Sequence, residues 1–447
     1  MVPPGAGWKD AMRRTVAEHQ EAVERLLRRS WAGGPLSAMH DGGTEVPLGL
    51  ARGRVLAADL MAPVDLPPFA NSQMDGYAVM VDDVQPISAD SAKSTSYRVA
   101  ETIAAGAVPR ALEPGTAAPI MTGAMLPRGA NAVVPVEAAV PSLFAAPGDS
   151  VELPATTAGR FVRSQGSDVS RGSLAIAAGT VLNAAHLGLA AALGCTSLAV
   201  RRKVRVLLVT TGDEVLSPGD PAAAAGLPPG MIFDANGTLL GAALEEAGVE
   251  VLHTHMVRDE PAALLALLDA QLGAAGGEAG SPPGADLVIS VGGISAGAFE
   301  VVRMALGSAG PAAQMEFVSV ALQPGGPQGL GSYRGVPFLA FPGNPVSSYV
   351  SLELFLRPAL TELLGAPVPR PRVVAVLEHG LSSPAGKHQI RRGIYSGPEF
   401  EAAPSVREVG GESSHLLGSL AQANALISIP AGVTELQHGA KVEVLLL

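Results

Sequence analysis

The sequence predicts a multidomain chain of class α/β plus β, with a doubly wound α/β domain set between β-rich pieces. Three observations carry this expectation. Strand and helix patterns alternate only between about residue 203 and residue 365, the signature of a parallel sheet wrapped by helices. On both sides, short Val/Ala/Leu runs alternate with Gly/Pro turns. The length of 447 residues corresponds to roughly three domains at about 150 residues each.

Taken in order, residues 8–31 have helical periodicity, with Ala11, Val16, Val23, Leu26 and Leu27 near one face. So exposed a helix needs a partner distant in sequence or on a second chain. From 45 to 200 the runs RVLAADLMAPVDLPP, DGYAVM, YRVAETI and RFVRSQGSDVSRGSLAIAAGTVL read as short strands. VLNAAHLGLAAALG follows as a helix stopped by Gly194. KVRVLLVTTGDEV opens the α/β part as a buried strand running into a glycine turn. Residues 234–247 form an amphipathic helix with Asp234 as its cap. EVLHTHMV is a strand, PAALLALLDAQL a helix begun by Pro261, and ADLVISVGGIS a second buried strand. VPFLAFPGNP is a third buried strand and SSYVSLELFLRPALTELLG its helix. Residues 273–285 are low in complexity and read as a surface loop. Beyond the Pro-rich 366–373, strand-and-turn patterning returns to the end.

Composition narrows the function. Thirty Lys and Arg against 41 Asp and Glu leave a net charge of −11, which disfavours general nucleic-acid binding. A single cysteine, Cys195, excludes an internal disulfide and any Cys-based zinc site. The longest uncharged apolar stretch, 183–200, contains Asn183, His186 and Thr196, so it reads as a buried helix and strand rather than a membrane span. No apolar segment follows the charges near the N-terminus, and the expected location is cytoplasmic.

Ligands in open α/β sheets bind beyond the carboxyl ends of the strands. Three such ends carry glycine turns: TTGDE (210–214), GGISAG (292–297) and PGNPVSS (342–348). Glycine lets backbone N–H groups approach an anion, and a following helix N-terminus adds positive potential. Three convergent turns suit a phosphorylated heterocycle. None is a Walker A motif or a dinucleotide fingerprint. Asp213, Glu214, Asp234, Asp259 and Glu300 sit beside them as oxygen donors for a hard cation such as Mg²⁺, or as caps and solvated loop charges.

Other segments carry a resemblance. PPFANSQMDGYAV (67–79) resembles the SxMDGYAV signature of the molybdopterin molybdotransferase family, which comprises MoeA and the E domain of gephyrin. MTGAMLPRGANAVVPVE (121–137), TTGDEVLSPG, IFDANG, VRDEP (257–261), GGISAGAFEVVR, FPGNPVSSYVS and the late RRG and SSH segments are similar to that family's motifs and stand in its order. The likeness runs from about residue 45 to the end. The C-terminal half looks most similar to the actinobacterial gephyrin-like branch.

The resemblance implies an elongated four-part subunit. Residues 1–62 with 160–200 form an N-terminal helix and linker domain, and 63–159 a small β-rich domain carrying the MDGYAV and MTGA motifs. Residues 201–368 form the molybdopterin-binding α/β domain and 369–447 a C-terminal β domain. It implies a homodimer whose active site uses both chains. The implied reaction is Mg²⁺-dependent: adenylylated molybdopterin is hydrolysed, AMP leaves, and molybdate enters the dithiolene. The implied catalytic carboxylates are Asp75, Asp168, Glu214, Asp259 and Glu300, with Asp259 and Glu300 on the metal. Substrate positions fall on Thr122, Gly123, Thr211, Gly212, Asp234, Gly292, Gly293, Ser295, Gly343, Asn344, Pro345, Ser347, Arg392 and Ser414.

There are departures. Glu300 stands where the family has Asp, Ser167 where it often has Glu, and Asn131 where it has Asp. The family's KPGKP loop, whose two lysines hold molybdate, reads Gln323-Pro324-Gly325-Gly326-Pro327 here. Each lost charge-assisted bond is worth roughly 1.5–3 kcal/mol. The expectation is therefore a molybdotransferase with impaired molybdate insertion. The alternative is a catalytically degenerate dimeric scaffold that binds a partner peptide. Such a peptide, for example the tail of the tubulin-like cell-division protein, would lie in an apolar groove beside 341–365 and Pro430.

Overall fold

The computed structural model describes residues 13–32, 43–81, 94–272, 284–294, 300–398 and 403–447. Ala11, residues 273–283 of the expected surface loop and Ser295 lie outside them.

The first helix is shorter than its periodicity suggests, running Val16–Trp31. Thr15 and Glu18 form a reciprocal capping box that fixes the start. Before it, Arg14 pairs instead with Val320, through its N–H to the Ser319 carbonyl at 3.1 Å and its carbonyl to the Ala321 N–H at 2.7 Å. The helix packs on a partner distant in sequence. His19 meets the Phe355 ring edge-on at 4.6 Å, Gln20 donates to the Leu354 carbonyl, and buried Trp31 donates to the Asp286 carbonyl.

Residues 44–200 are mostly strand and turn, as expected. A five-stranded sheet is built from Gly76–Val79, Ser94–Val99, Thr116–Ile120, Ala132–Pro135 and Ser150–Pro154. Its core centres on Tyr77, Val79, Val134 and Leu153. The helix Ala184–Ala192 is capped by Asn183 and followed by Gly194 at φ +85°.

The α/β sheet is mixed rather than wholly parallel. Glu250–Val257, Arg205–Thr211, Leu287–Val291 and Val336–Phe341 are parallel neighbours in that order. Beyond them, Pro327–Tyr333 and Ala313–Ser319 add two antiparallel edge strands. The glycines of Pro327–Tyr333 are what the pairing needs: a Cβ at Gly331 would lie 1.9 Å from the Gln314 carbonyl oxygen. The helices Asn236–Glu246, Pro261–Leu272, Val301–Ser308 and Pro345–Ser351 pack against the sheet, the last continuing through a π-turn at Leu352–Leu356 into Arg357–Leu364.

The C-terminal strands close into a barrel. His388–Ser396, Ser405–Glu408, Arg372–Leu377, Lys441–Leu446 and Ala425–Ile429 pair in turn, and the last pairs back to the first. Leu322–Gln323, from the α/β part of the chain, adds parallel to His388–Gln389. This short strand brings the 323–327 loop against the barrel.

Beside 341–365, where an apolar groove was expected, a cleft of about 180 Å³ lies between Leu354, the first helix and the barrel residues Ile390, Leu426 and Leu445, while the aromatic side chains are core. Phe341 and Phe355 are each 1% exposed and Tyr349 is 8% exposed, and all three join one core with Val23, Leu27 and Trp31 of the first helix. Among the described residues, no helix is long and apolar enough to cross a membrane.

Candidate active site

The ends of the parallel strands carry the glycine turns, and the turns converge. Thr211, Gly212, Glu214, Asp234, Asp259, Gly292, Gly293, Glu300, Gly343, Asn344 and Pro345 line one cleft of about 450 Å³. Eleven expected site residues thus come together at the position where open α/β sheets bind ligands. Gly292 adopts φ +97°, and a Cβ there would lie 2.8 Å from Thr211 Oγ1. Gly343 approaches so closely that its own Cβ would lie 3.2 Å from Gly292 Cα. Only glycine lets these two turns meet.

Asp234 is buried and holds the turns in place: it accepts from Thr210 Oγ1 at 2.8 Å and from the Gly237 N–H at 3.0 Å. It caps the helix as expected, though the regular turns begin only at Asn236. Asn344 caps the helix Pro345–Ser351 by accepting from the Val346 and Ser347 N–H groups. Thr211 Oγ1 is buried with no hydrogen-bond partner among the described residues.

Carboxylates gather on one side. Burial, and then the charges of Asp213, Glu214 and Glu300, push the Asp259 carboxyl above its usual value. Like charges held this close suit a divalent cation. Among the described residues no group of three His, Cys, Asp or Glu side chains forms a ready-made metal cage. That arrangement fits Mg²⁺, which is usually held by one or two carboxylates together with substrate phosphates and water.

A second cavity, of about 530 Å³, shares Pro327 with the cleft. Gln323, Gly325, Gly326, Ser347, Ser413 and Ser414 line it, together with Arg13 and Lys387. Ser347 and Ser414 thus stand in one cavity with the altered KPGKP loop. Arg392 does not join them. It is 1% exposed, and its guanidinium donates to the Gly411 carbonyl from the strand face it shares with Ile390 and Leu426. Arg391 is committed as well, 2.7 Å from Glu408 and 3.4 Å from Glu412.

Asp75, Thr122, Gly123 and Asp168 lie elsewhere in the chain, all exposed. Asp75 accepts from Thr122 Oγ1 at 2.7 Å and from its N–H at 2.6 Å, which holds the Asp75 carboxyl below its usual value. Among the described residues, none of the hydrogen bonds or ion pairs found joins these four to the cleft.

Sequence reasoning passed over Asn236, whose amide donates to the Gly343 carbonyl at 2.7 Å and accepts from Ser348 Oγ at 3.0 Å, tying two turns together. It also passed over Ile232 and Phe233, which line the cleft at 53% and 46% exposure. Two large apolar side chains left open beside Asp234 in IFDANG were the available signal.

A mixed α/β sheet with a glycine-turn cleft, joined to a closed terminal barrel and a β-rich N-terminal part, defines a multidomain protein with a ligand cleft at the carboxyl ends of its strands. The comparisons narrow this. Residues 14–194 match the MoeA N-terminal region (domains I and II), 207–362 the probable molybdopterin-binding domain, and 374–447 the MoeA C-terminal region (domain IV). The chain is 42% identical over 437 residues to molybdopterin molybdenumtransferase 2 of Mycobacterium tuberculosis, covering 96% of this chain and 99% of that one. It is 34% identical to molybdopterin molybdenumtransferase of a Nostoc species, covering 90% and 88%. A crystal structure of a molybdopterin biosynthesis MoeA protein from Pyrococcus horikoshii superposes with TM-score 0.72 at 28% identity, covering 97% and 99%. The chain belongs to the MoeA family.

Proposed function

We propose that the chain is a molybdopterin molybdenumtransferase of molybdenum-cofactor biosynthesis, acting on adenylylated molybdopterin and molybdate. The observation that carries this reading is the junction at Pro327 of a carboxylate-flanked glycine cleft with a serine-lined cavity. One suits a phosphorylated heterocycle and the other an oxyanion, and the transfer needs both side by side.

In this reading the turns at Gly212, Gly292–Gly293 and Gly343 cradle the phosphates, and Ile232 and Phe233 cover the flat heterocycle. Mg²⁺ would be held by Asp259 and Glu300 and would neutralise charge developing on the phosphate oxygens. Water oxygen bonds to phosphorus, the phosphoanhydride bond breaks, and AMP leaves. Glu214, the cleft carboxylate not assigned to the metal, would accept the water's proton.

We further propose a homodimer in which Asp75, Thr122 and Asp168 of one copy face the cleft of the other. Their separation from the cleft within a single chain supports this. Glu300 replaces the family's Asp with one more methylene, and we propose that it still reaches the metal.

Production of the chain in a bacterium lacking its own transferase tests the reading. Restored molybdoenzyme activity is expected. Absence of restoration with soluble protein present would exclude the reading.

A further inference from the structure

We propose that Arg13 and Lys387 supply the positive charge of the oxyanion cavity, replacing the two lysines absent at Gln323 and Gly326. The proposal rests on reading the second cavity as the site of a tetrahedral dianion.

The segment Ser319–Gln323 is bound on both flanks, and each flank delivers one cation. On the first flank, Arg14 forms a bridge with Val320 and sends its guanidinium 2.7 Å from Glu316. Neighbouring side chains of an extended segment point in opposite directions. Arg13 accordingly faces away from Glu316 and lines the cavity. The capping box at Thr15 stops the helix from absorbing Arg13 and Arg14. On the other flank, Leu322 pairs with His388, and the His388 N–H donates to the Ala321 carbonyl at 2.8 Å. That register leaves the preceding residue, Lys387, on the cavity rim.

The same segment holds the altered loop, because the Val320 N–H donates to the Gly326 carbonyl at 2.7 Å. Ser319, Ser347, Ser413 and Ser414 line the space, the Ser347 and Ser413 hydroxyls also bonding to Asn344 and His415. Among the described residues neither Arg13 nor Lys387 enters an ion pair, whereas buried Arg391 is taken by Glu408 and Arg14 by Glu316. Glu412 also lines the cavity, and its carboxylate lies 3.4 Å from Arg391. Two uncommitted cations and several hydroxyls are what a tetrahedral dianion requires. The N-terminal segment thereby becomes part of the active site.

Equilibrium dialysis of molybdate against the full chain tests this, comparing wild type with Arg13→Ala, Lys387→Ala, the double variant and Arg13→Lys. Circular dichroism checks that each variant is folded. Each alanine variant is expected to weaken molybdate binding roughly tenfold, as for loss of one charge-assisted bond. The double variant is expected to lose it beyond detection, and Arg13→Lys to retain most of it. Wild-type affinity in the double variant, or no molybdate binding by wild type, overturns the proposal. Binding of adenylylated molybdopterin to wild type is measured in the same preparation. If the nucleotide binds while molybdate ignores the substitutions, only this proposal falls. If molybdate binding follows the substitutions while the nucleotide does not bind, only the transferase reading falls.

Discussion

Replacing Gly292 with alanine perturbs the cleft where two of its turns meet. The backbone there sits at φ +97°, which L-residues reach at a cost of about 1–2 kcal/mol. The new methyl group would stand 2.8 Å from Thr211 Oγ1 and 3.0 Å from the Thr211 carbonyl oxygen. The hydroxyl can rotate away but the carbonyl belongs to a central strand, so overpacking adds about 1–3 kcal/mol. A loss of about 2–5 kcal/mol from the α/β domain lowers its thermal midpoint by roughly 4–20 °C. Relieving that contact shifts the turn that Gly343 packs against in the cradle. Differential scanning calorimetry reads the first effect, and titration with adenylylated molybdopterin the second, with at least tenfold weaker binding expected. A variant that melts within about 1 °C of wild type and binds the nucleotide equally well would refute the claim that these turns meet only through glycine.

Further outcomes follow from the same geometry. Asp259 has a folded pKa above its unfolded value of 3.8, so its stabilising contribution is complete below that value and is lost as pH rises through the folded pKa. Asp259→Asn should therefore raise the melting temperature at pH 7, show no gain near pH 3, and lower AMP release at least a hundredfold. His19 is buried and its pKa is pulled down to about 3, chiefly by burial. Its contribution is present above its unfolded value of 6.5 and lost as pH falls towards 3, so His19→Phe should flatten the melting profile across that window. Tyr77 is wholly buried, donating to the Leu143 carbonyl at 2.9 Å and accepting from the Ala145 N–H at 2.8 Å. Tyr77→Phe leaves both unpaired and should cost the small β sheet about 1–3 kcal/mol, read by urea unfolding. At Gly326 a Cβ would meet only the Val320 and Leu322 carbonyl oxygens, at 3.4 and 3.5 Å. Gly326→Lys should therefore fold and tighten molybdate binding in dialysis.

Elements whose signals are local were legible from the residues alone. Asn183 and Gly194 bracket a helix by capping chemistry, and the strands Arg205–Thr211 and Leu287–Val291 announce themselves as apolar runs entering glycine turns. The first helix was overextended because its amphipathic pattern continues upstream. The T-x-x-E box at Thr15–Glu18 was the signal that would have stopped it at the observed start. The strand Pro327–Tyr333 was hidden because its two glycines, Gly329 and Gly331, break the apolar pattern while serving close backbone approach. In the site, the turn residues followed from their place after buried strands. Arg13 and Lys387 did not, because tertiary pairing of residues 319–323 brings them together across more than 370 positions of sequence. Arg392 was expected at the substrate from its motif, but it is buried on the barrel's outer face with Ile390 and Leu426, where its guanidinium donates to the Gly411 carbonyl.

The central claim is that the carboxylate-flanked cleft and the oxyanion cavity act together in one transfer. The most direct measurement is release of AMP from adenylylated molybdopterin by the purified chain with Mg²⁺, followed with and without molybdate. The account predicts nucleotide binding and AMP release that depends on molybdate. Nucleotide that binds but releases no AMP under either condition, or does not bind at all, would contradict it.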